Sequence, residues 1–574
     1  MEYIWKQIPR SNEAKIDDLK KAINVNAILA NILIQRGIES FDEAKYFFRP
    51  SLDSLHDPFL MKDMDAAVNR ILAAIEAEEK ILIYGDYDVD GTTAVALLYS
   101  FLRGFYENIE FYIPDRYHEG YGVSEKGVRY AADNGFGLII ALDCGIKAVD
   151  KVALANELGV DFIICDHHTP GEKLPAAVAV LDAKRSDCNY PYKELSGCGV
   201  GFKLAQALSK TLGQDEQKLY QYLDLLVVSI AADIVPITGE NRILAYFGLK
   251  QINTSPRPGL EALKNAGHLQ ESITISDIVF KIGPRINASG RLEHAKSSVE
   301  LLISESLMEA SELAKAVDVV NNNRRNFDEN ITREAFAMIA EMESSRAWNA
   351  TVLYKEDWHK GVIGIVASRC IEQYYRPTII LTESNGKATG SARSVVDFNI
   401  YDAIAECADL LEQFGGHKYA AGLTLQVDKV PLFQERFEEV VKSRIRDKHL
   451  IPVIEVDDEI SVDEINPSFY NILKQMAPFG PGNPEPVFVL NNVRAENVVV
   501  LKEKHIRFEI LQEGQKTSLV CLAFGMADKA KDPQQTTKEL LESKMSFSLV
   551  GEIRENVFRG NSSLQIYVKD IKFD

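Results

Sequence analysis

Three apolar runs that read as β-strands each end in groups able to bind a divalent cation. KILIY, from Lys80, runs into Gly85, Asp86, Tyr87, Asp88, Val89, Asp90 and Gly91; GLIIAL, from Gly137, runs into Asp143, Cys144 and Gly145; DFIIC, from Asp161, runs into Asp166, His167 and His168. Ligands of an open parallel sheet bind just outside the carboxyl ends of its strands, so the three clusters are expected to converge on one crevice. Hard divalent ions take carboxylate oxygens, and an imidazole shifts the preference from magnesium towards manganese. Asp86, Asp88 and Asp90 alternate by two, so an extended strand end would set them on one face. Carboxylates packed that closely repel one another and their pKa values rise, a cost that a bound cation removes. The plain alternative is that each Asp caps the helix after its strand. That accounts for any one of them, but not for three clusters with a His pair. A fourth acid, Asp233 in AADIVP, leaves an apolar helix just before Pro236. Alone it is a boundary residue, and only the other three make it a ligand candidate.

The elements that must position these groups follow a βαβ rhythm over residues 80–170, the pattern of a doubly wound parallel sheet. QYLDLLVVSIAADIVP is apolar nearly all round and too long for a strand, which predicts a buried helix. Residues 298–345 contain neither proline nor glycine, which predicts one or two long connecting helices. A second, smaller α/β pattern follows, with strand candidates TVLYK, PTIILT and AGLTLQV. After Pro452, VFVLNNV, HIRFEIL, SLVCLAFG, FSLVGEI and LQIYVKDI predict a small β-barrel of the OB kind.

A chain of 574 residues, 46% hydrophobic and 26% charged, is globular and long enough for several domains. Its N-terminus lacks a signal-type apolar segment, and no run of eighteen apolar residues occurs, so no membrane contact is expected. Seven cysteines, at 144, 165, 188, 198, 370, 407 and 521, form no CxxC pair, which points to a reduced, cytoplasmic compartment. A net charge of −20 argues against nonspecific coating of duplex DNA, so any nucleic-acid contact must be local.

Local basic features do exist. Lys281, Arg285 and Arg291 occur in KIGPRINASGR with no acid between them, a pattern usually found in a solvated loop but also a path for a DNA backbone. Arg393, in GSARS, is a surface arginine by itself and a bidentate phosphate partner if a phosphate lies near. In FGGHKYAAG, Gly415 and Gly416 permit close backbone approach, His417 can donate, and a helix predicted to follow would offer its amides to phosphate. Taken alone, this motif is a glycine turn with an incidental His. In the terminal β region, Arg494, Lys502, Lys504, His505 and Arg507 occur among aromatics such as Phe508 and Phe524, with no individual contact assigned. GCGVGFKLAQAL does not fit G-x-G-x-x-G and no Walker A sequence occurs, so neither ATP nor NAD is expected.

YGDYDVDGTTA, LDCG, CDHH and AADIVP resemble the four motifs of the DHH phosphoesterases, in that order. GPRINASGR, WHKGVIGIVASR, GSARS, FGGHKYAAG and PFGPGNPEPVF are similar to the branch of that superfamily that degrades single-stranded DNA from the 5′ end. The resemblance implies an N-terminal extension (1–45), a DHH catalytic domain (46–297), a connecting helix (298–345), a DHH-associated domain (346–450) and an OB-fold that grips the strand (451–574). The extension matches nothing named and is expected against the catalytic domain. The resemblance also implies two ions, Mn²⁺ or Mg²⁺, with Asp86 on one, Asp88 and His167 on the other, Asp143 bridging and Asp233 completing the set. His168 would contact the scissile phosphate or the attacking water. Asp90 stands as a catalytic candidate, and alternatively, with Asp166, as a residue orienting the ligands. The glycine and histidine motif becomes a phosphate-binding signature, with Arg285, Arg291 and Arg393 as further DNA contacts.

Such a site fits metal-assisted hydrolysis of a phosphodiester without a covalent intermediate, and no G-x-S-x-G elbow suggests otherwise. The expected protein is a monomer serving DNA repair and recombination, with a helicase and a single-strand-binding protein as candidate partners. Two rival readings are a phosphodiesterase of cyclic dinucleotides or short oligonucleotides, which would not need the β-rich terminus, and a noncatalytic replication scaffold, which would have lost its ligands.

Overall fold

The computed structural model describes residues 3–573 except 270–271, 293–294, 447–448, 513, 515–516, 528–529 and 533–534. They form two compact units, one within residues 52–452 and the other within residues 3–51 and 453–573.

The first unit is built on a five-stranded parallel sheet: β1 (Lys80–Gly85), β2 (Ile109–Tyr112), β3 (Phe136–Leu142), β4 (Asp161–Cys165) and β5 (Ala179–Leu181), in spatial order β2-β1-β3-β4-β5. Alternate residues of its central strands enter separate cores. Ile81, Ile83, Leu138 and Ile140 face one side, and Leu82, Tyr84, Ile139 and Ala141 face the other. Both faces are covered, which is why these strands read as unbroken apolar runs instead of alternating ones. The order reverses between β1 and β3, and a crevice opens at such a switch point. Helix α1 (Val89–Arg103) follows β1, α2 (Val149–Glu157) follows β3, and α3 (Gly197–Thr211) and α4 (Leu223–Ala232) pack on the sheet and on α1. Every residue of α4 except Ala232 is buried, as its all-round apolar sequence requires.

KIGPRINASGR is not a loop. Its glycine, proline and arginines lie in α5 (Gly283–Leu292), continuous with a π-turn at Ile278–Ile282. The connecting segment divides at Ser304–Ser306, where Ser306 caps the 39-residue helix α6 (Leu307–Ser345). The second sheet, β6 (Thr351–Tyr354), β7 (Thr378–Ser384), β8 (Lys387–Arg393), β9 (Gln413–His417) and β10 (Ala420–Leu425), has the order β9-β10-β8-β7-β6 and is antiparallel apart from β6 with β7.

In the second unit, β11 (Val487–Leu501), β12 (His505–Gln512), β13 (Leu519–Ala523), β14 (Phe547–Phe558) and β15 (Asn561–Phe573) close into a barrel through the pairing of β11 with β14. Residues 3–51 belong here, not with the catalytic sheet as the sequence suggested. Ile4–Gln7 pairs in parallel with Val453–Val456. Leu29, Ile32 and Leu33 share a core with Phe488, Phe508 and Phe547, and the buried Asn31 amide donates to Asp458 Oδ2 at 3.0 Å. The segment AILANILIQ is apolar enough to bury against any core, and nothing in its spacing names which one.

Leu33 is fully buried in that shared core. Leu33→Ala is therefore expected to destabilise the protein by about 2–5 kcal/mol, the range for a truncated core leucine. Chemical denaturation measures the change, and an unaltered transition would place these helices outside the core.

Candidate functional site

The acids meet outside the ends of β1, β3 and β4, but not by strand alternation. β1 stops at Gly85, and the chain turns immediately into α1, where Asp88 is the N-cap and accepts from the Gly91 amide at 3.0 Å. Asp90 sits in the first helical turn, so the three acids fan around a turn instead of sharing one face of an extended strand. The turn is tight: a Cβ on Gly91 would lie 2.5 Å from the Asp86 carbonyl oxygen. The capping and functional readings of Asp88 thus hold together, since its side chain closes the helix and also meets that of Asp143.

Each acid has a different electrostatic environment. Asp90 is buried and saturated: the Gly197 and Cys198 amides at the start of α3 donate to it at 2.7 and 2.8 Å, and the Ser229 hydroxyl of α4 at 2.8 Å. Asp166 accepts from the backbone of Ile146 (2.9 Å), His167 (2.7 Å) and His168 (3.1 Å) and lies 2.7 Å from His168 Nδ1. Burial opposes its charge, but these bonds and the His168 charge hold it at about 2, and Asp166 in turn lifts His168 to about 9 against the effect of burial. Asp86, which accepts only from Tyr87 and Gly122, is driven up to about 8 by burial and by Asp88. Burial and then Asp90 and Asp88 raise Asp233 to about 8 as well. Asp143 is pushed well above the usual carboxylate range by burial, Asp90, Asp88 and Asp233.

His167 lies at the centre. Its Nε2 is 3.2 Å from Asp143 Oδ1, 3.5 Å from Asp233 Oδ2 and 3.7 Å from Asp90 Oδ2. Both His167 nitrogens and Asp143 Oδ1 are buried without a hydrogen-bond partner, an arrangement that native interiors rarely leave uncompensated. Ligand atoms of Asp143, His167 and His168, and those of Asp90, His167 and Asp233, lie within 4.8 Å of one another. Hard oxygen and imidazole donors of this kind suit a divalent ion of the Mn²⁺ or Mg²⁺ class, whose charge would reverse the upward shifts of Asp86, Asp143 and Asp233. The backbone is strained at the same place. Asp143 stands at φ 59°, and so does the β-branched Ile234 directly after Asp233, a conformation that usually persists only where the surroundings impose it.

Beside the acids lies a cavity of about 280 Å³, lined by Asp88, Asp90 and Asp233 on one side and by Arg116 and Arg291 on the other. Arg291, at the end of α5, donates to the Gly361 carbonyl at 2.9 Å and receives the Tyr117 hydroxyl on its own carbonyl. Burial and the like charges of Arg116, Arg324 and Arg393 lower its pKa to about 10. Burial also lowers Arg393, at the end of β8. None of Arg116, Arg291 and Arg393 has a carboxylate within ion-pair distance among the described residues. Arg285 is different: it is paired with Asp318 at 2.9 Å and is not drawn into this group.

The glycine motif also departs from expectation. Gly415, Gly416 and His417 end β9 of a hairpin, and the strand β10, not a helix, comes directly after them. Gly416 is at φ 145°, with the Ala420 carbonyl 2.4 Å from where a Cβ would stand, so it serves the hairpin. No helix N-terminus is offered to phosphate there, and His417 is exposed, its Nδ1 accepting from the Tyr419 amide at 3.3 Å.

Several functional groups escaped the sequence. Arg116 and Tyr121 follow the four-residue edge strand β2, too short to be recognised as a strand; with it in view, the strand-end rule would have led to DRYHEGYG. The glycines of GCGVGFKLAQAL serve Asp90 and Asp143: a Cβ on Gly197 would be 2.5 Å from that of Asp143. The glycine-rich helix start is there, but the anion it binds is a carboxylate of the chain itself.

Three family models match the chain: the DHH family N-terminal domain over residues 80–230, the DHHA1 domain over 347–443 and the RecJ OB domain over 456–570. A protein of Bacillus subtilis (strain 168) named single-stranded-DNA-specific exonuclease RecJ is 37% identical over 569 residues, 98% of this chain and 70% of its own length. Its namesake in Escherichia coli (strain K12) is 33% identical over 95% of each chain. The crystal structure of RecJ in complex with Mn²⁺ from Thermus thermophilus superposes with a TM-score of 0.84 at 28% identity, covering 100% of this chain and 80% of that one.

Asp143→Asn should relieve the crowding of buried negative charge. It is expected to raise the melting temperature of the metal-free protein by about 2–4 °C, the shift that about 1 kcal/mol gives in a domain of 150–250 residues. It should also abolish the further rise that Mn²⁺ confers by binding only the folded form. Melts with and without Mn²⁺ read both effects, and a variant that Mn²⁺ still stabilises would remove Asp143 from the ligand set.

Proposed function

The chain belongs to the RecJ family of single-stranded-DNA-specific exonucleases, and we propose that its acid and imidazole cluster cleaves the strand from the 5′ end in DNA repair and recombination. The protein is a divalent-metal-dependent hydrolase, and the observation that carries the site assignment is the buried, unpartnered pair of Asp143 Oδ1 and His167 Nε2, 3.2 Å apart among three further acids. Asp86, Asp88, Asp143, Asp233 and His167 would hold two ions of Mn²⁺ or Mg²⁺. When bound, these ions supply the Lewis-acid charge that activates water and neutralises the oxygens of an in-line displacement.

The remaining work falls to the chain's own groups. Asp166 holds His168 by its Nδ1 at 2.7 Å and leaves Nε2 3.1 Å from the Tyr121 hydroxyl, where it can donate to a phosphate oxygen. Asp90, with its oxygens taken by α3 and α4, positions the turn that carries Asp86 and Asp88. Arg116 and Arg291, which line the cavity without acidic partners, would form a seat for a second phosphate, with the charge of Arg393 acting on Arg291 from nearby. The cavity of about 280 Å³ has carboxylates and arginines in one lining. A 5′-phosphate on the arginines would bring the next phosphodiester towards the acids, which would account for both end dependence and polarity.

The proposal extends to a catalytic role for residues 46–297, a connecting role for 298–345, phosphate handling by 346–450 and strand gripping by 451–574. It extends also to a cytoplasmic monomer, supported by seven free, buried cysteines that suit a reducing compartment. A helicase and a single-strand-binding protein are partners it would need, because an enzyme specific for single strands requires the duplex to be opened and held open.

End-labelled oligonucleotides with each end blocked in turn test the reading. Digestion should require Mn²⁺ or Mg²⁺, stop with chelation, and stop when the 5′ end is blocked but not the 3′ end. Arg116→Gln should raise KM for 5′-phosphorylated substrate about tenfold to a hundredfold, the loss expected of a charge-assisted hydrogen bond, with little change for a 5′-hydroxyl end. Digestion by chelated protein, or from a free 3′ end, overturns the assignment.

A further inference from the structure

The cleft continues past the acids. Outside the ends of β3 and β4 lies a second cavity of about 470 Å³, walled by Val123, Ile146 and Val149 and rimmed by Lys147 and Lys151. Tyr121 belongs to the walls of both cavities. Its ring meets Tyr87 edge-on at 5.9 Å and His168 edge-on at 6.0 Å. Tyr87 lines the arginine side and His168 the second cavity, so Tyr121 is the partition between them. The two chambers differ in chemistry. The first holds carboxylates against arginines, whereas the second is largely apolar, with Lys147, Lys151 and the exposed Asp150 among its lining, and its one buried acid, Asp166, is already committed to His168. An apolar chamber of this size with a few charged groups at its edge has the character of a ligand site.

We propose that the second cavity holds the nucleotide on the 3′ side of the scissile bond, its base against the apolar wall and Tyr121, and its outgoing phosphate at Lys147 and Lys151. This rests on the reading that the 5′-terminal phosphate sits on the arginines. A phosphodiester at the acids then has the terminal nucleotide on the arginine side, and its other neighbour must pass Tyr121 and His168, where this cavity opens. Hydrolysis breaks the bond from phosphorus to the 3′ oxygen of the terminal nucleotide. Water supplies the new oxygen on phosphorus, and the departing 3′ oxygen takes up a proton. The nucleotide in the second cavity keeps the phosphate and becomes the new 5′ end, so each cycle moves it past Tyr121 onto the arginines.

The test uses 5′-phosphorylated oligonucleotides carrying one abasic residue at the first, second or third position, digested by the full-length protein with Mn²⁺. An abasic second position should raise KM about tenfold, as loss of a single base-stacking contact does, and an abasic third position should have little effect. Ala148→Phe, which fills the chamber, and Lys147→Glu, at an exposed position, should raise KM for the intact strand. The Phe variant should also erase the penalty for the abasic second residue. Equal KM for intact and second-position abasic strands, or a penalty that survives in both variants, overturns the proposal. The preference for 5′-phosphate over 5′-hydroxyl, measured on the same strands, reports separately on the arginines. If that preference persists without a second-position effect, only the cavity assignment falls; if the preference is absent from the parent enzyme, the arginine reading falls with it.

Discussion

The structure depends on how a buried sheet end tolerates a crowd of carboxylates. Isolated ionised acids in such a place would be strongly disfavoured, and the fold answers acid by acid. Asp90 receives the amides opening α3 and a hydroxyl from α4. Asp166 receives three backbone amides and the ring of His168. Asp88 caps α1. Asp86 is partly served by two amides. What the protein itself leaves unanswered is Asp143 and its neighbour His167. Asp90 and Asp166, bonded from within the chain, frame the site, and the buried Asp143 Oδ1 and His167 nitrogens are left open to positive charge.

A related economy governs the positive side. The chain carries a net charge of −20, yet burial and then the crowding of Arg116, Arg324 and Arg393 lower the pKa of Arg291 to about 10. Like charges gathered without counter-ions on either side of the cleft would each be stabilised by a partner of opposite sign. An acidic exterior together with a concentrated cationic seat discourages nonspecific adsorption along duplex DNA, since phosphate affinity scales with the number of neutralising contacts.

The parallel sheet, the buried helix and the barrel strands were legible in the sequence because burial on both faces or alternation leaves a periodic trace. The convergence of Asp86, Asp88, Asp143, His167 and His168 was legible for a second reason: strand ends of a doubly wound sheet share a location whatever their separation in sequence. Asp233 ends helix α4 and became a candidate only beside them. The rest was hidden by causes that can be named. The turn after β1 defeated the strand-alternation argument for Asp90. Arg285 looked as free as Arg291, because nothing local reveals that Asp318, 33 residues later, takes it. The FGGHKYAAG hairpin resembles a helix approach, since glycine permits both. Residues 3–51 carry an apolar face whose partner lies more than 400 residues away, beyond any local pattern.

The placement of Arg291 ties the proposed phosphate seat to both α/β halves. Its guanidinium is held by the carbonyl of Gly361, and its own carbonyl by the hydroxyl of Tyr117. One contact comes from the segment that follows β6 and the other from the loop that follows β2. A Cβ at Gly361 would stand 2.6 Å from the Arg291 carbonyl oxygen and 2.7 Å from the Tyr117 hydroxyl, so the three segments meet without slack. The acids are fixed by the first sheet, but the distance from them to the arginines is fixed by this junction. If the arginines seat the 5′-phosphate, the span from them to the acids is the quantity that must be held, and a junction at which no side chain can be added holds it more firmly than hydrogen bonds between long side chains would.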